Sequence, residues 1–120
     1  MTWIYHQRTG EMFRDSELKA SGYSGRMTNK NNPSRQHVKG LGPIPQGRYR
    51  ITENTQTKGP LTLVLQPDES NNMFGRDLFR IHGERTYGPG GWASEGCIIL
   101  PPSLRREIWR HRDEGLLVVP

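Results

Sequence analysis

Leu61-Thr62-Leu63-Val64-Leu65-Gln66 is a nearly continuous apolar run bounded by Pro60 and Pro67. Six residues suit a strand and are too few for a stable helix, and Val64 favours extended backbone, so the run reads as a central strand. On its N-terminal side, Gly42-Pro43-Ile44-Pro45-Gln46-Gly47 is a rigid turn leading into a strand over 48–53, with Tyr49 and Ile51 on one face. Further out, Trp3-Ile4-Tyr5 and Met12-Phe13 flank the turn signal Arg8-Thr9-Gly10 and predict a hairpin. Leu18, Ala20 and Gly22 alternate weakly into Tyr23, and the apolar pattern then disappears over 24–42. A loop of that length is expected to be functional or disordered, and Lys30-Asn31-Asn32-Pro33, whose Asn side chains cap their own turns, could order it.

On the C-terminal side, 78–82 predicts another strand, 83–91 a glycine-rich loop, and 96–100 a buried strand. Pro101-Pro102-Ser103 opens the one good helix, with Ser103 as its expected N-cap and Gly115 as its C-cap. Leu104, Ile108 and Trp109 share one side of it, and Arg105, Arg106, Arg110 and Arg112 lie elsewhere. Leu116-Leu117-Val118-Val119 is a last strand. The sum is a mostly β fold with one short C-terminal helix. The 14 glycines and 9 prolines in 120 residues argue against a helical bundle, and one domain over 1–120 is expected.

Several function classes fall away at once. No stretch approaches the roughly 18 apolar residues of a membrane span, so no membrane insertion is expected. The N-terminus has no basic region followed by an apolar one, so no signal peptide is expected. One cysteine, Cys97, excludes an internal disulfide and a multi-cysteine zinc site, and the scattered His6, His37 and His111 have no metal-ligand spacing. Neither a metal nor a cofactor is expected. Charge is unevenly placed: residues 18–52 hold seven basic residues and no acidic one, while the rest carries ten basic against twelve acidic. Such a segment is either a solvated loop or a surface that faces an anionic partner.

The chemistry-bearing stretch is Ile81-His82-Gly83 followed by Trp92-Ala93-Ser94-Glu95-Gly96-Cys97-Ile98. A lone thiol begins one expected strand, and a histidine ends another fifteen residues earlier. An ordinary thiol has a pKa near ~8.5, and a neighbouring imidazole is expected to lower it so that the nucleophilic thiolate is populated. The imidazole needs a third group to fix its tautomer, for which a backbone carbonyl beside Gly83 is the candidate. Gly96 permits close approach of substrate, and the Gly96 and Cys97 amides are candidates for an oxyanion hole. Ser94 has two possible uses, within the turn or toward substrate. A basic nucleic-acid-binding module is the rival reading, but it gives this Cys–His pair no role.

These residues resemble the L,D-transpeptidase (YkuD-type) signature, in which His-Gly is followed by a loop and then Ser/Thr-His/Asn-Gly-Cys. Met1-Thr2-Trp3-Ile4-Tyr5, Gly22-Tyr23-Ser24-Gly25, Lys30-Asn31-Asn32-Pro33, Gly42 to Gly47, Met73-Phe74-Gly75, Ala93 to Ile98 and Val118-Val119-Pro120 resemble one branch more closely. That branch is the L,D-transpeptidase-like toxin domain of type VI secretion effectors. The chain departs from the broad signature at Glu95, where His or Asn stands, and at Ile99, where Arg or Asn is common.

The resemblance implies a compact β-sandwich or barrel catalytic domain acting on the stem peptides of peptidoglycan. The nucleophile would be Cys97 and the base His82, with Gly83, Ser94 and Gly96 completing the catalytic set. Tyr23, Lys30, Asn31, Asn32, Tyr87 and Trp92 would be substrate contacts. It further implies synthesis in the cytoplasm, secretion by the type VI machinery into a rival's periplasm, and a cognate immunity protein in the producer. No nucleic-acid partner is implied. The reaction would be L,D-transpeptidation or L,D-carboxypeptidation of tetrapeptides, the alternatives being a cysteine amidase or endopeptidase cutting elsewhere in the stem.

Overall fold

Alternation of buried and exposed side chains builds one sheet. The computed structural model describes residues 2–120. Its strands are β1 (Trp3–His6), β2 (Glu11–Arg14), β3 (Glu17–Ser21), β4 (Tyr23–Ser24), β5 (Gly47–Thr55), β6 (Thr62–Pro67), β7 (Arg80–His82), β8 (Ile98–Ile99) and β9 (Leu116–Val119). The helix α1 is Pro102–Arg110. Strand order is β3-β2-β1-β9-β5-β6-β7-β8-β4. The expected hairpin is β1–β2, paired Ile4 with Phe13, and the expected central strand is β6, between β5 and β7.

The two edge strands, β3 and β4, are consecutive in the chain and separated by Gly22 alone. The sheet is therefore drawn round until it nearly closes. Gly22 N–H donates to Gly10 O at 2.7 Å on one side of this seam. On the other, a β-carbon at Gly22 would collide with the carbonyl of Ile99, so only glycine lets the seam shut.

Trp3, Tyr5, Leu63, Leu65, Ile81, Ile98, Leu116 and Val118 project inward, and Leu104 and Ile108 of α1 join the same core. Each fully buried aliphatic side chain contributes about 1.5–3 kcal/mol. β9 pairs parallel with β1, Trp3 against Leu116, so the two ends of the chain lie side by side. β7 pairs parallel with β8, Ile81 against Ile98 and His82 against Ile99.

Several local expectations change. Pro101 occupies the N-cap of α1 with no side-chain cap bond, and Ser103 lies inside the first turn. Pro102 stands at the first helical position, where its fixed φ suits the helix and its missing N–H needs no cap. The helix ends at Arg110, and Gly115, with φ +73°, instead closes a short 3-10 turn at Arg112–Glu114. Leu78 is exposed and has φ +62°, so that strand starts only at Arg80. Cys97 sits immediately before β8 rather than within it. Arg105, off the apolar side of the helix, is nevertheless buried: its guanidinium donates to the carbonyls of Leu100, Pro60 and Leu61 at 3.0, 2.7 and 3.1 Å.

The 24–42 segment is ordered as its sequence suggests. Asn32 Oδ1 accepts from Ser34 N–H at 3.2 Å, and Pro33 begins the 3-10 turn that follows. No helix is long and apolar enough to cross a membrane among the described residues.

Candidate active site

The parallel pairing of β7 with β8 fixes where the thiol and imidazole lie. His82 ends β7, and Cys97 stands one residue before the Ile98 that pairs with Ile81. Both line one open cleft of about 980 Å³. His82 is buried and Cys97 half-buried. His82 Nδ1 lies 2.9 Å from Gly83 O, so Nδ1 carries the proton and donates, and Nε2 is left as the basic nitrogen. Arg105 packs so tightly against Gly83 that a β-carbon there would stand 2.6 Å from its guanidinium. The buried arginine of α1 thus backs the anchor of the histidine.

The segment 94–97 is held from three sides. Ser94 Oγ donates to Cys97 O and accepts from Gly25 N–H and Gly96 N–H at 2.9 and 3.0 Å. Ser24 Oγ donates to Gly96 O at 2.7 Å and accepts from Ile44 N–H at 2.8 Å. Arg76, buried, donates to the carbonyls of Gln36, Pro43, Gly42 and Glu95 at 2.6, 2.8, 2.9 and 3.3 Å. Gly96 has φ +131°, and a β-carbon there would meet Arg76 Nη2 at 2.5 Å and Phe79 Cε1 at 2.8 Å. Its role is to let the chain turn under the arginine.

Ser94 is therefore spent within the turn, the first of its two possible uses. The Gly96 amide is spent on Ser94 and cannot face a developing oxyanion, which corrects that half of the expected hole. Among the described residues nothing takes the Cys97 N–H.

The electrostatics of the pair follow from burial. Desolvation lowers the His82 pKa below the ordinary histidine value, and Lys58, Arg105 and Arg80 lower it further; only the Gly83 carbonyl opposes. The imidazole is thus neutral at pH 7 and able to accept a proton. Burial raises the Cys97 thiol, against the N–H and guanidinium of Arg80 and the charge of Lys58, which favour its thiolate. The resting pair is thiol and neutral imidazole, which corrects the expected lowering of the thiol by its neighbour: burial outweighs the groups that favour the thiolate.

The expected substrate contacts divide. Tyr87 and Trp92 line the cleft mouth, both exposed. Tyr23, Lys30, Asn31 and Asn32 do not line it. Tyr23 OH donates to the Glu84 carboxylate at 2.7 Å and accepts from Ala93 N–H at 3.1 Å. Its pKa is pushed up to about 12 by burial and by Glu84. Lys30 Nζ sits 4.7 Å from the Tyr23 ring centroid. Glu84 also accepts from Gly91 N–H at 2.9 Å, which cinches the neck of the glycine-rich loop. Asn31 Oδ1 accepts from Ser24 N–H at 3.1 Å. These residues brace the scaffold. From the basic 18–52 segment, Arg26 and Lys39 reach the cleft instead.

Sequence reasoning missed Arg76, Lys58 and Arg80. Arg76 has no local signal, because its partners are carbonyls 19 to 40 residues away. Arg80 had one: two residues before His82 on a strand, it shares that histidine's face.

This mostly β fold, a nearly closed sheet with one helix, is that of an L,D-transpeptidase catalytic domain. The NMR structure of the catalytic domain from E. faecium L,D-transpeptidase superposes with a TM-score of 0.53 at 17% identity, covering 98% of this chain and 95% of that one. The chain belongs to the Tlde1-domain family, the L,D-transpeptidase-like toxin domain of type VI effectors, whose model matches residues 18–116. No curated protein matches.

Proposed function

We propose that this domain is a cysteine-dependent L,D-transpeptidase and L,D-carboxypeptidase acting on the tetrapeptide stems of peptidoglycan. The observation that carries the reading is the pairing of Cys97 and His82 at one cleft, with Nδ1 of the imidazole anchored on Gly83 O. The Tlde1 family and the L,D-transpeptidase fold support the substrate class.

The thiol proton passes to His82 Nε2 as sulfur attacks the carbonyl that links the third, diamino-acid residue to D-alanine. The Cys97 N–H is the main-chain donor left to face the oxyanion. As the tetrahedral intermediate collapses, the C–N bond breaks and His82 returns the proton to the leaving amine. The thioester is resolved by water, giving a tripeptide, or by an amine, giving exchange or a crosslink. Delivery by the type VI machinery into a target's periplasm, and a cognate immunity protein in the producer, belong to the same proposal.

Mass spectrometry of muropeptides after incubation with the protein tests it. Tetrapeptides should become tripeptides or exchanged products with the native chain, and Cys97→Ala and His82→Ala should leave them intact while circular dichroism shows a native fold. Cleavage at another bond would replace the reading with an amidase or endopeptidase. Expression with an added export signal should lyse or swell cells, and cytoplasmic expression should not. Equal toxicity in the cytoplasm would remove peptidoglycan as the target.

A further inference from the structure

The cations of the cleft wall differ in whether they are already satisfied. Arg76 is spent on four carbonyls, Arg26 faces Glu95 at 3.6 Å, and Arg85 donates to Trp92 O at 2.9 Å. Lys58 and Arg80 have no carboxylate partner among the described residues; Arg80 bonds its own neighbour Leu78 O at 3.3 Å and turns its guanidinium to the Cys97 sulfur. Both line the same cleft as the catalytic pair. β7 runs parallel to β8 with Ile81 opposite Ile98, so Arg80 stands level with Cys97, on the same face of its strand as His82. These two cations act on both the thiol and the imidazole. Lys39 lines the cleft too and has no carboxylate partner among the described residues, but Lys58 and Arg80 are the cations that act on the desolvated nucleophile, and together they form an anion site.

We propose that Lys58 and Arg80 form a carboxylate subsite that binds the free α-carboxylate of the residue leaving Cys97, so that the enzyme reads the end of the stem as well as the scissile bond. This rests on the reaction proposed above. His82 must protonate the leaving nitrogen, and the carboxylate carbon of that same residue lies only about 2.5 Å from that nitrogen. A cation that reaches both sulfur and imidazole is therefore placed where that carboxylate falls. A carboxylate on the side chain of the third residue is the same chemistry from a different source, and lies on the acyl side of the bond. An α-carboxylate site favours tetrapeptides over stems whose fourth residue is extended or crosslinked. In the reverse direction it favours free amino acids as acceptors.

The test compares a tetrapeptide stem with its C-terminal amide and with a stem amidated on the third residue's side-chain carboxylate. The native protein should process the acid about tenfold or more faster than the C-terminal amide in kcat/KM. In Lys58→Gln/Arg80→Gln that ratio should fall to about threefold or less, with Arg80→Lys retaining part of it. A side-chain amide that is slowed while the terminal amide is not would overturn the assignment. Equal processing of acid and terminal amide, still dependent on Cys97, would overturn the subsite and leave the reaction standing.

A second measurement needs no substrate. Iodoacetate is an anion and iodoacetamide is neutral, and both alkylate the same sulfur. Relative to a free thiol, Cys97 of the native protein should favour iodoacetate severalfold, and the double variant should lose that preference. If the protein processes no stem at all, the reaction reading fails, and an alkylation ratio equal to the free thiol's would then remove the anion site as well.

Discussion

Of the positive charge on the cleft wall, two regions do opposite things. Under the 94–97 turn, Arg76 is buried and gives its hydrogen bonds to main-chain carbonyls from three parts of the chain. Along β7, Arg80 and the neighbouring Lys58 keep their charge for solvent or a ligand. The first region is a clamp that sets the position of Cys97, and the second is a surface left open beside it. A basic composition does not distinguish the two. What distinguishes them is whether each donor already has an acceptor, because a satisfied donor gives a ligand little and an unsatisfied one gives it a charge-assisted bond.

The largest expected effect tests the clamp. Arg76→Met should cost about 3–4 kcal/mol in urea unfolding, because hydrogen bonds from a charged donor contribute about 1.5–3 kcal/mol each and the abandoned carbonyls are buried. A loss below 1 kcal/mol would mean the turn holds itself. Ser94→Ala comes next, at about 2 kcal/mol, since one hydroxyl serves three main-chain partners. Its iodoacetamide reactivity should also change as Cys97 shifts, which a purely global loss of stability would not cause in the folded state.

A pH series sharpens the comparison without substitution. His82 has its folded pKa lowered, so the unfolded chain binds the extra proton first on acidification. The stability linked to neutral His82 is present above about 6.5 and is lost as pH falls toward the lower folded value. Urea midpoints should drop between pH 7 and pH 5, and His82→Gln should remove that part of the drop. In the other direction, burial raises the Cys97 pKa, so iodoacetamide alkylation should rise through a midpoint above that of a free thiol.

The smallest effect concerns the basic 18–52 segment. Lys30 stacks on Tyr23 away from the cleft, and Arg35 is exposed. Lys30→Met/Arg35→Gln should leave KM for a tetrapeptide within about twofold and cost no more than about 1 kcal/mol in stability. A severalfold rise in KM with a flattened salt response would make this segment a surface that faces the anionic substrate.

Much of the architecture was legible in the sequence where local patterning carries it. The 61–66 run, the Tyr49–Ile51 face and the turn at Arg8-Thr9-Gly10 each encode their own strand or hairpin through spacing and turn residues. The Cys97–His82 pair was read from glycine-bracketed strand ends and then from the resemblance, and the structure brings both residues to one cleft. What stayed hidden depends on contacts distant in the chain. Closure of the sheet through Gly22 shows only when Gly10 and Ile99 arrive on either side of it. Burial of Arg76 and Arg105 runs against their polarity and is offset by carbonyls that no local window contains. The bond from Tyr23 to Glu84 spans 61 residues and shows in no local window.

The central claim is that Cys97 becomes acylated with His82 as its base. Intact-protein mass spectrometry of the native chain, quenched in acid early in its reaction with a tetrapeptide stem, tests it most directly. The account requires an adduct equal to the stem less its terminal D-alanine, mapped by proteolysis to Cys97. The adduct should be absent in Cys97→Ala and should form far more slowly in His82→Ala. Tripeptide produced by folded Cys97→Ala, or an adduct mapped to another residue, would contradict it.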